Sequence, residues 1–182
     1  LKMWEMPPVT CGANRATAIT HLRATTTSEV VFSNKKSIDL LDGQTGKVIA
    51  STGVIGDHVN ESRCLPLQVD QSPQQELLCL LNTPSSAVGT GRRLFLLRQS
   101  GGNLNIAWNR DVGAKDGKLG RPPGMAADLD GDGFPEIVMS GQDAQGAPIT
   151  YVYDANSGAQ LAQIAGHDVV GTARILAGRS VL

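Results

Sequence analysis

The stretch DLDGDGFPEIVMSG, from Asp128 to Gly141, places four carboxylates within nine residues and continues directly into an apolar run. Like charges at this density repel one another unless a positive group lies among them. Ca²⁺ is a hard cation that prefers oxygen ligands, and carboxylates are the ligands it most often takes from proteins. The stretch therefore predicts a calcium-binding loop, and a solvated acidic turn without metal is the alternative.

The EF-hand is the first calcium loop to test against this stretch, and it does not fit. An EF-hand needs a bidentate Glu at loop position 12, but counting from Asp128 that position is Met139, which cannot ligate Ca²⁺. Pro135 occupies position 8 and removes a backbone donor. The run that follows, Ile137-Val138-Met139, is short and β-prone, so no helix can follow the loop.

A loop between two antiparallel strands is the other setting for this pattern, and it needs a glycine such as Gly133 for the sharp reversal. The expected ligands are three side chains, one carbonyl and one closing acid: Asp128, Asp130, Asp132, the carbonyl of Phe134, and Glu136. The stretch AADLDGDGFPEIVMSG resembles the FG-GAP repeats of integrin alpha-subunit β-propellers and bacterial surface proteins. That family usually has Asp where this chain has Glu136. The resemblance implies one Ca²⁺ and a β-propeller fold.

Two other stretches show that the chain contains repeats. LLDGQTGKVIAS, from Leu40, and VYDANSGAQLAQ, from Val152, both read as a strand, a turn with Asp and Gly, and a second strand. Gly46, Gly102 and Gly158 follow one another at equal intervals of 56 residues. The apolar runs EVVFSN, QELLCLLN and PEIVMSG precede them where an earlier strand is expected. The spacing predicts three copies of one β unit.

Each unit is predicted to contain four short antiparallel strands, which makes the chain all-β and matches a propeller blade. The predicted blades span residues 15–54, 62–112 and 121–166, and the third contains the calcium loop. Their strands are predicted at residues 15–24, 29–34, 37–42 and 47–53; at 63–70, 75–83, 92–99 and 104–112; and at 122–130, 136–141, 148–154 and 159–165.

The two ends of the chain resemble parts of further blades. LKMWEM, at residues 1–6, resembles LNIAWN from Leu104, with Trp4 answering Trp108, and residues 1–8 are expected to be the last strand of a preceding blade. Residues 171–182 are expected to start the next blade. Three blades cannot close a ring, because propellers carry four to eight. The chain is therefore expected to be part of a larger ring, and a small four-bladed ring or another stacked-sheet arrangement is the alternative.

Two cysteines and a sequon bear on the compartment. If Asp70 pairs with Pro73 in a hairpin that turns at residues 71–72, Cys64 lies directly opposite Cys79, where either a disulfide or two reduced buried thiols fit. Cys11 has no evident partner in this chain. Asn60 begins the glycosylation sequon NES. A calcium loop without sensor features suits the millimolar Ca²⁺ outside cells, so an extracellular or cell-surface location is expected, or the periplasm in a bacterium.

Composition and motifs exclude several function classes. The net charge of −1 shows no basic face for nucleic acid, and no apolar run is long enough to span a membrane. The three histidines are scattered, at residues 21, 58 and 167, and no nucleophile elbow, zinc helix or Walker loop is present. The sequence predicts a calcium-binding module for protein binding, adhesion or surface assembly. An enzyme similar to propeller polysaccharide lyases or quinone-dependent dehydrogenases is the alternative.

Overall fold

The computed structural model describes residues 15–23, 27–56, 59, 62–82, 92–113, 124–166, 173–174 and 180–181. Within these ranges the chain forms fourteen β-strands and no α-helix. The all-β class predicted from the sequence is confirmed for this part of the chain. The same ranges hold no helix with the length and hydropathy that crossing a membrane requires.

Twelve strands form three antiparallel meanders, in which each strand pairs with the next along the chain. Meander 1 consists of β1 (Arg15–Thr20), β2 (Glu29–Ser33), β3 (Ile38–Asp42) and β4 (Val48–Ser51). Meander 2 consists of β5 (Arg63–Leu67), β6 (Glu76–Asn82), β7 (Arg92–Ser100) and β8 (Asn103–Asp111). Meander 3 consists of β9 (Met125–Ala127), β10 (Glu136–Gln142), β11 (Pro148–Asp154) and β12 (Gln160–Ala165). A separate hairpin pairs β13 (Ala173–Arg174) with β14 (Ser180–Val181).

All twelve strands predicted between residues 15 and 166 correspond to observed strands, with differences at their ends. β1 stops at Thr20, so His21 lies just beyond it rather than inside a strand. β9 covers only three residues, and Asp128 already belongs to the loop that follows it. The expected strand at residues 1–8 lies outside the described residues. Just beyond β1 and β9 the backbone N–H groups of Leu22 and Leu129 donate to the side chains of Glu29 and Glu136, so these hydrogen bonds take the place of strand pairing there.

The first two meanders are joined into one eight-stranded sheet, a connection that the sequence did not predict. The end of β4 meets the start of β8 in a parallel bridge between Ser51 and Asn103, where the Ser51 N–H donates to the Gly102 carbonyl at 3.2 Å. The sheet order is β1-β2-β3-β4-β8-β7-β6-β5, and β1 also lies beside β5. The sheet is therefore nearly closed and resembles a barrel. Meander 3 forms a sheet of its own.

Meander 2 lies between the other two and is buried on both faces. In β6, Leu77, Cys79 and Leu81 pack in a core shared with meander 1, where they meet Val31 and Leu40. The alternate side chains of β6 and β7 pack in a second core with Trp108 and residues of meander 3, and their members are Leu78, Leu80, Leu94 and Leu96. Successive strand side chains point to opposite faces, so burial of both faces explains the unbroken apolar run in β6.

The second core is closed by the β11–β12 turn. The buried indole of Trp108 donates from Nε1 to the Ala155 carbonyl at 3.2 Å, and Arg110 donates from Nε to the Gly158 carbonyl at 2.6 Å. Gly158 has a φ of 68°, and a Cβ added there would lie 2.5 Å from Trp108 Cδ2. The turn is therefore packed directly against the indole.

Replacing Gly158 with Ala should lower the free energy of unfolding by about 2 kcal/mol, because the methyl group enters the indole and the backbone keeps a left-handed φ. Urea unfolding measures the loss. Gly146→Ala is the matched control: its φ is 85°, but its Cβ would meet nothing within 4 Å. The Gly146→Ala variant should lose about 1 kcal/mol of the free energy of unfolding, from backbone strain alone. Equal losses in the two variants would contradict the close packing of Gly158 against Trp108.

Candidate metal centre

Three of the predicted ligands come together in the loop between β9 and β10. Asp128, Asp130 and Glu136 each offer a carboxylate oxygen, and these atoms all lie within 4.8 Å of one another. Glu136 pairs with Ala127 at the point where the two strands meet, so the hairpin brings the early and late acids side by side. Asp132 stands apart from this group, and its Oδ1 accepts the N–H of Phe134 at 2.8 Å.

Backbone N–H groups of this loop donate hydrogen bonds to the carboxylates of its aspartates. Asp128 accepts from Gly131 through Oδ1 at 2.7 Å and from Gly133 through Oδ2 at 3.1 Å, and Asp130 Oδ1 accepts from Asp132 at 3.1 Å. Both glycines have positive φ, 84° and 94°, which a side chain would strain. Gly133 was expected to allow the reversal, and Gly131 contributes equally. The loop can therefore hold its carboxylates close together.

Glu136 is the buried member of the group. Its Oε2 accepts the Leu129 N–H at 2.7 Å, and the residue is 4% exposed. Burial raises the pKa of Glu136 above its ordinary value, and the neighbouring charges of Asp130, Asp132 and Asp128 raise it further, while the Leu129 N–H opposes the shift. An ionised Glu136 is thus costly in this loop, and a cation between the carboxylates would remove that cost.

The sequence analysis missed that Glu136 has a counterpart in each of the other meanders. Glu29, Glu76 and Glu136, named here the strand-leading glutamates, begin β2, β6 and β10 and are 0%, 5% and 4% exposed. Oε2 of each accepts the backbone N–H seven residues earlier, from Leu22 at 2.8 Å, Val69 at 3.4 Å and Leu129 at 2.7 Å. The signal was present in the sequence as a Glu at the head of EVVF, ELLC and EIVM.

The second carboxylate oxygen distinguishes the three glutamates. Oε1 of Glu29 lies 2.8 Å from Arg23 Nε, and Oε1 of Glu76 lies 3.6 Å from Arg98 Nε. No Lys or Arg in the described ranges forms an ion pair with Glu136, whose neighbours are aspartates. Meanders 1 and 2 therefore place a guanidinium beside the buried glutamate, whereas meander 3 places the carboxylates of Asp128 and Asp130 there.

The cysteine pair lies where the antiparallel register was expected to place it. Cys64 on β5 is directly opposite Cys79 on β6, and their sulfur atoms are joined in a disulfide of 2.04 Å. Of the two states that the sequence allowed, the structure has the oxidised one. The connection between the strands is wider than predicted, since residues 68–75 form a loop rather than a turn at 71–72.

The remaining candidate residues contribute no site in the described ranges. His21 is exposed, and its backbone N–H donates to Gln75 Oε1 at 3.1 Å. Tyr151 and Tyr153 stack with ring centroids 5.8 Å apart, and they contribute to the core between meanders 2 and 3. The other residues singled out in the sequence lie outside the described residues, and they are Trp4, Cys11, His58, Asn60 and His167.

No family model matches this chain, and a search of curated proteins finds no match either. The likeness to FG-GAP repeats is thus a likeness of one loop motif and of repeat spacing. A function for the chain has to follow from the chemistry of its own residues.

Proposed function

We propose that this chain is a portion of an extracellular β-propeller in which the β9–β10 loop is held by one Ca²⁺, and that it serves protein binding, adhesion or surface assembly. The observation that carries the proposal is the contrast among the strand-leading glutamates. Glu29 and Glu76 each have an arginine at Oε1, whereas Glu136 is buried beside Asp128 and Asp130. A buried carboxylate is stable when a positive group compensates it.

The propeller arrangement is supported by the way the meanders pack. Blades of a propeller are four-stranded antiparallel sheets that pack face to face around an axis. Meander 2 contacts meander 1 with one face and meander 3 with the other. The outer strand of each meander also reaches the turn before the last strand of the next, at Ser51–Gly102 and at Arg110–Gly158. These contacts repeat along the chain, as they would around a ring.

The ion and the compartment follow from the ligand chemistry. The ligands are the side chains of Asp128, Asp130, Asp132 and Glu136, with the carbonyl of Phe134. Such an all-oxygen set suits Ca²⁺, and sites of this type outside cells work at millimolar Ca²⁺. The disulfide between Cys64 and Cys79 suits an oxidising compartment. The role of the ion is structural, because its ligands belong to one surface hairpin, and partner proteins bind on the faces and loops of the propeller.

Removal of Ca²⁺ should destabilise the protein. At a hundredfold excess of Ca²⁺ over Kd, the stabilisation is about 2.7 kcal/mol, and chelation removes it. Isothermal titration should show one site in the wild type and none in Asp130→Asn, since the amide has one oxygen and no charge. Failure of chelator-treated wild type to take up Ca²⁺ at millimolar concentration would contradict the proposal.

Asp143→Asn is the matched control for the titration. Asp143 is another aspartate of meander 3, it accepts the N–H groups of Gln145 and Ala147 in the β10–β11 turn, and it lies outside the acidic group. This variant should keep the site and the response to chelation. A sugar polymer that is cleaved by the wild type but not by Asp130→Asn would instead support the lyase alternative.

A further inference from the structure

The loop between β5 and β6 is the counterpart of the acidic loop in meander 3. Both loops cover the eight residues before a strand-leading glutamate, residues 68–75 before Glu76 and 128–135 before Glu136. Asp70 and Asp130 both stand six residues before that glutamate. Their Oδ1 atoms accept the N–H two residues later, from Ser72 at 2.8 Å and from Asp132 at 3.1 Å. The two loops therefore share their backbone arrangement at this point.

A single side-chain nitrogen lies at the centre of the β5–β6 loop. Gln68 Nε2 donates to the carbonyls of Asp70 at 2.9 Å, Ser72 at 2.6 Å and Gln74 at 2.9 Å. An amide oxygen in the same place would face three other acceptors, so the chemistry requires the nitrogen there. Three oxygens from alternate residues thus converge on one positively polarised group.

We propose that the amide of Gln68 takes the place of a cation in the β5–β6 loop, and that the residue at this position decides which loop takes Ca²⁺. The residues at the corresponding alternate positions of meander 3 are Asp130 and Asp132, which are expected to ligate through their side chains, and Phe134, which is expected to ligate through its carbonyl. The residue that corresponds to Gln68 is Asp128, whose carboxylate has no proton to donate to oxygen. The identity of the ion rests on the proposed function, but the filling of the meander 2 loop by Gln68 does not.

Two substitutions are expected to convert the β5–β6 loop into a cation site. Gln68→Asp and Ser72→Asp, together with the native Asp70 and Glu76, put carboxylates at all four positions that carry them in meander 3. The Arg98 side chain is 40% exposed, its Nε lies 3.6 Å from Glu76 Oε1, and it also donates to Asn156 Oδ1, so it keeps a partner away from Glu76 when an ion enters. The double variant is therefore expected to bind one Ca²⁺ in meander 2.

The experiment uses the whole chain with Asp130→Asn, so that the meander 3 site does not contribute. Titration calorimetry should show no Ca²⁺ binding in this background and one bound Ca²⁺ when Gln68→Asp and Ser72→Asp are added. Ca²⁺ should also raise the melting temperature of that variant by several degrees. Gln68→Asn with Ser72→Asn is the matched uncharged control and should remain unresponsive. No uptake at 10 mM Ca²⁺ by the variant, when the wild type binds one ion, would overturn the proposal.

A second measurement needs no metal and separates this inference from the calcium proposal. In chelator, Gln68→Ala should lower the melting temperature by roughly 5 °C, because three loop carbonyls lose their donor. Added Ca²⁺ should not restore the stability that this loop loses, since alanine supplies no ligand. A Gln68→Ala protein that melts with the wild type in chelator would overturn the proposal, whether or not meander 3 binds Ca²⁺.

Discussion

Replacing Glu29 with Ala should lower the free energy of unfolding by about 3 kcal/mol. The carboxylate is fully buried, its Oε2 accepts the Leu22 N–H, and its Oε1 lies 2.8 Å from Arg23 Nε. Alanine leaves that backbone N–H without an acceptor in the core beside the buried Leu22 side chain. It also leaves a cavity and removes the partner of Arg23. These losses occur together, because the one carboxylate of Glu29, at the start of β2, binds both Leu22 and Arg23, which follow β1.

Equilibrium unfolding in urea measures this loss, and Glu29→Gln is its matched control. The Gln side chain keeps an oxygen for Leu22 but places an NH2 group opposite the Arg23 donor, so it loses the charge and the hydrogen bond to Arg23, whose side chain is 28% exposed. A partly exposed ion pair contributes little, so the Gln variant should lose about 1 kcal/mol. If the Ala and Gln variants lost the same stability, the backbone hydrogen bond would not be the dominant contribution.

Removing the disulfide, by Cys64→Ala with Cys79→Ala, should also lower the free energy of unfolding by about 3 kcal/mol. The two cysteines are 15 residues apart, and a cross-link over a loop of this length restricts the unfolded chain by about that free energy. Both residues are buried, and Cys79 belongs to the core between meanders 1 and 2, so lost packing adds to the effect.

Unfolding with and without a reducing agent separates the two contributions. The reductant should destabilise the wild type and should leave the double variant unchanged, because the variant has no such bond to break. Peptide mapping without reduction should recover Cys64 and Cys79 in one linked fragment. Recovery of both as alkylated free thiols, or equal stability of the oxidised and reduced wild type, would contradict the assignment.

Features that depend on neighbours along the chain could be predicted from the amino-acid sequence. Alternating apolar runs and Gly-rich turns located twelve strands, because strand periodicity and turn conformation are local properties. The pairing of Cys64 with Cys79 followed from the register rule of an antiparallel hairpin, although the connection proved to be a loop. Asp128, Asp130 and Glu136 were expected to converge, because a tight hairpin leaves residues eight positions apart side by side.

Which polar groups are buried, and which groups compensate them, depends on how the meanders pack. In the sequence Glu29 and Glu76 read as ordinary charged residues at strand ends and Glu136 as a metal ligand, and the burial of all three arises from meanders packing face to face. Their partners differ in origin: Arg23 and the aspartates come from the loop just before their glutamate, whereas Arg98 reaches Glu76 from the neighbouring strand β7. The bridge between Ser51 and Asn103 and the contact of Trp108 with Gly158 join residues about fifty positions apart. Such pairs leave no periodic pattern in a single sequence, because their energy depends on the packed meanders and not on the local conformation of the chain.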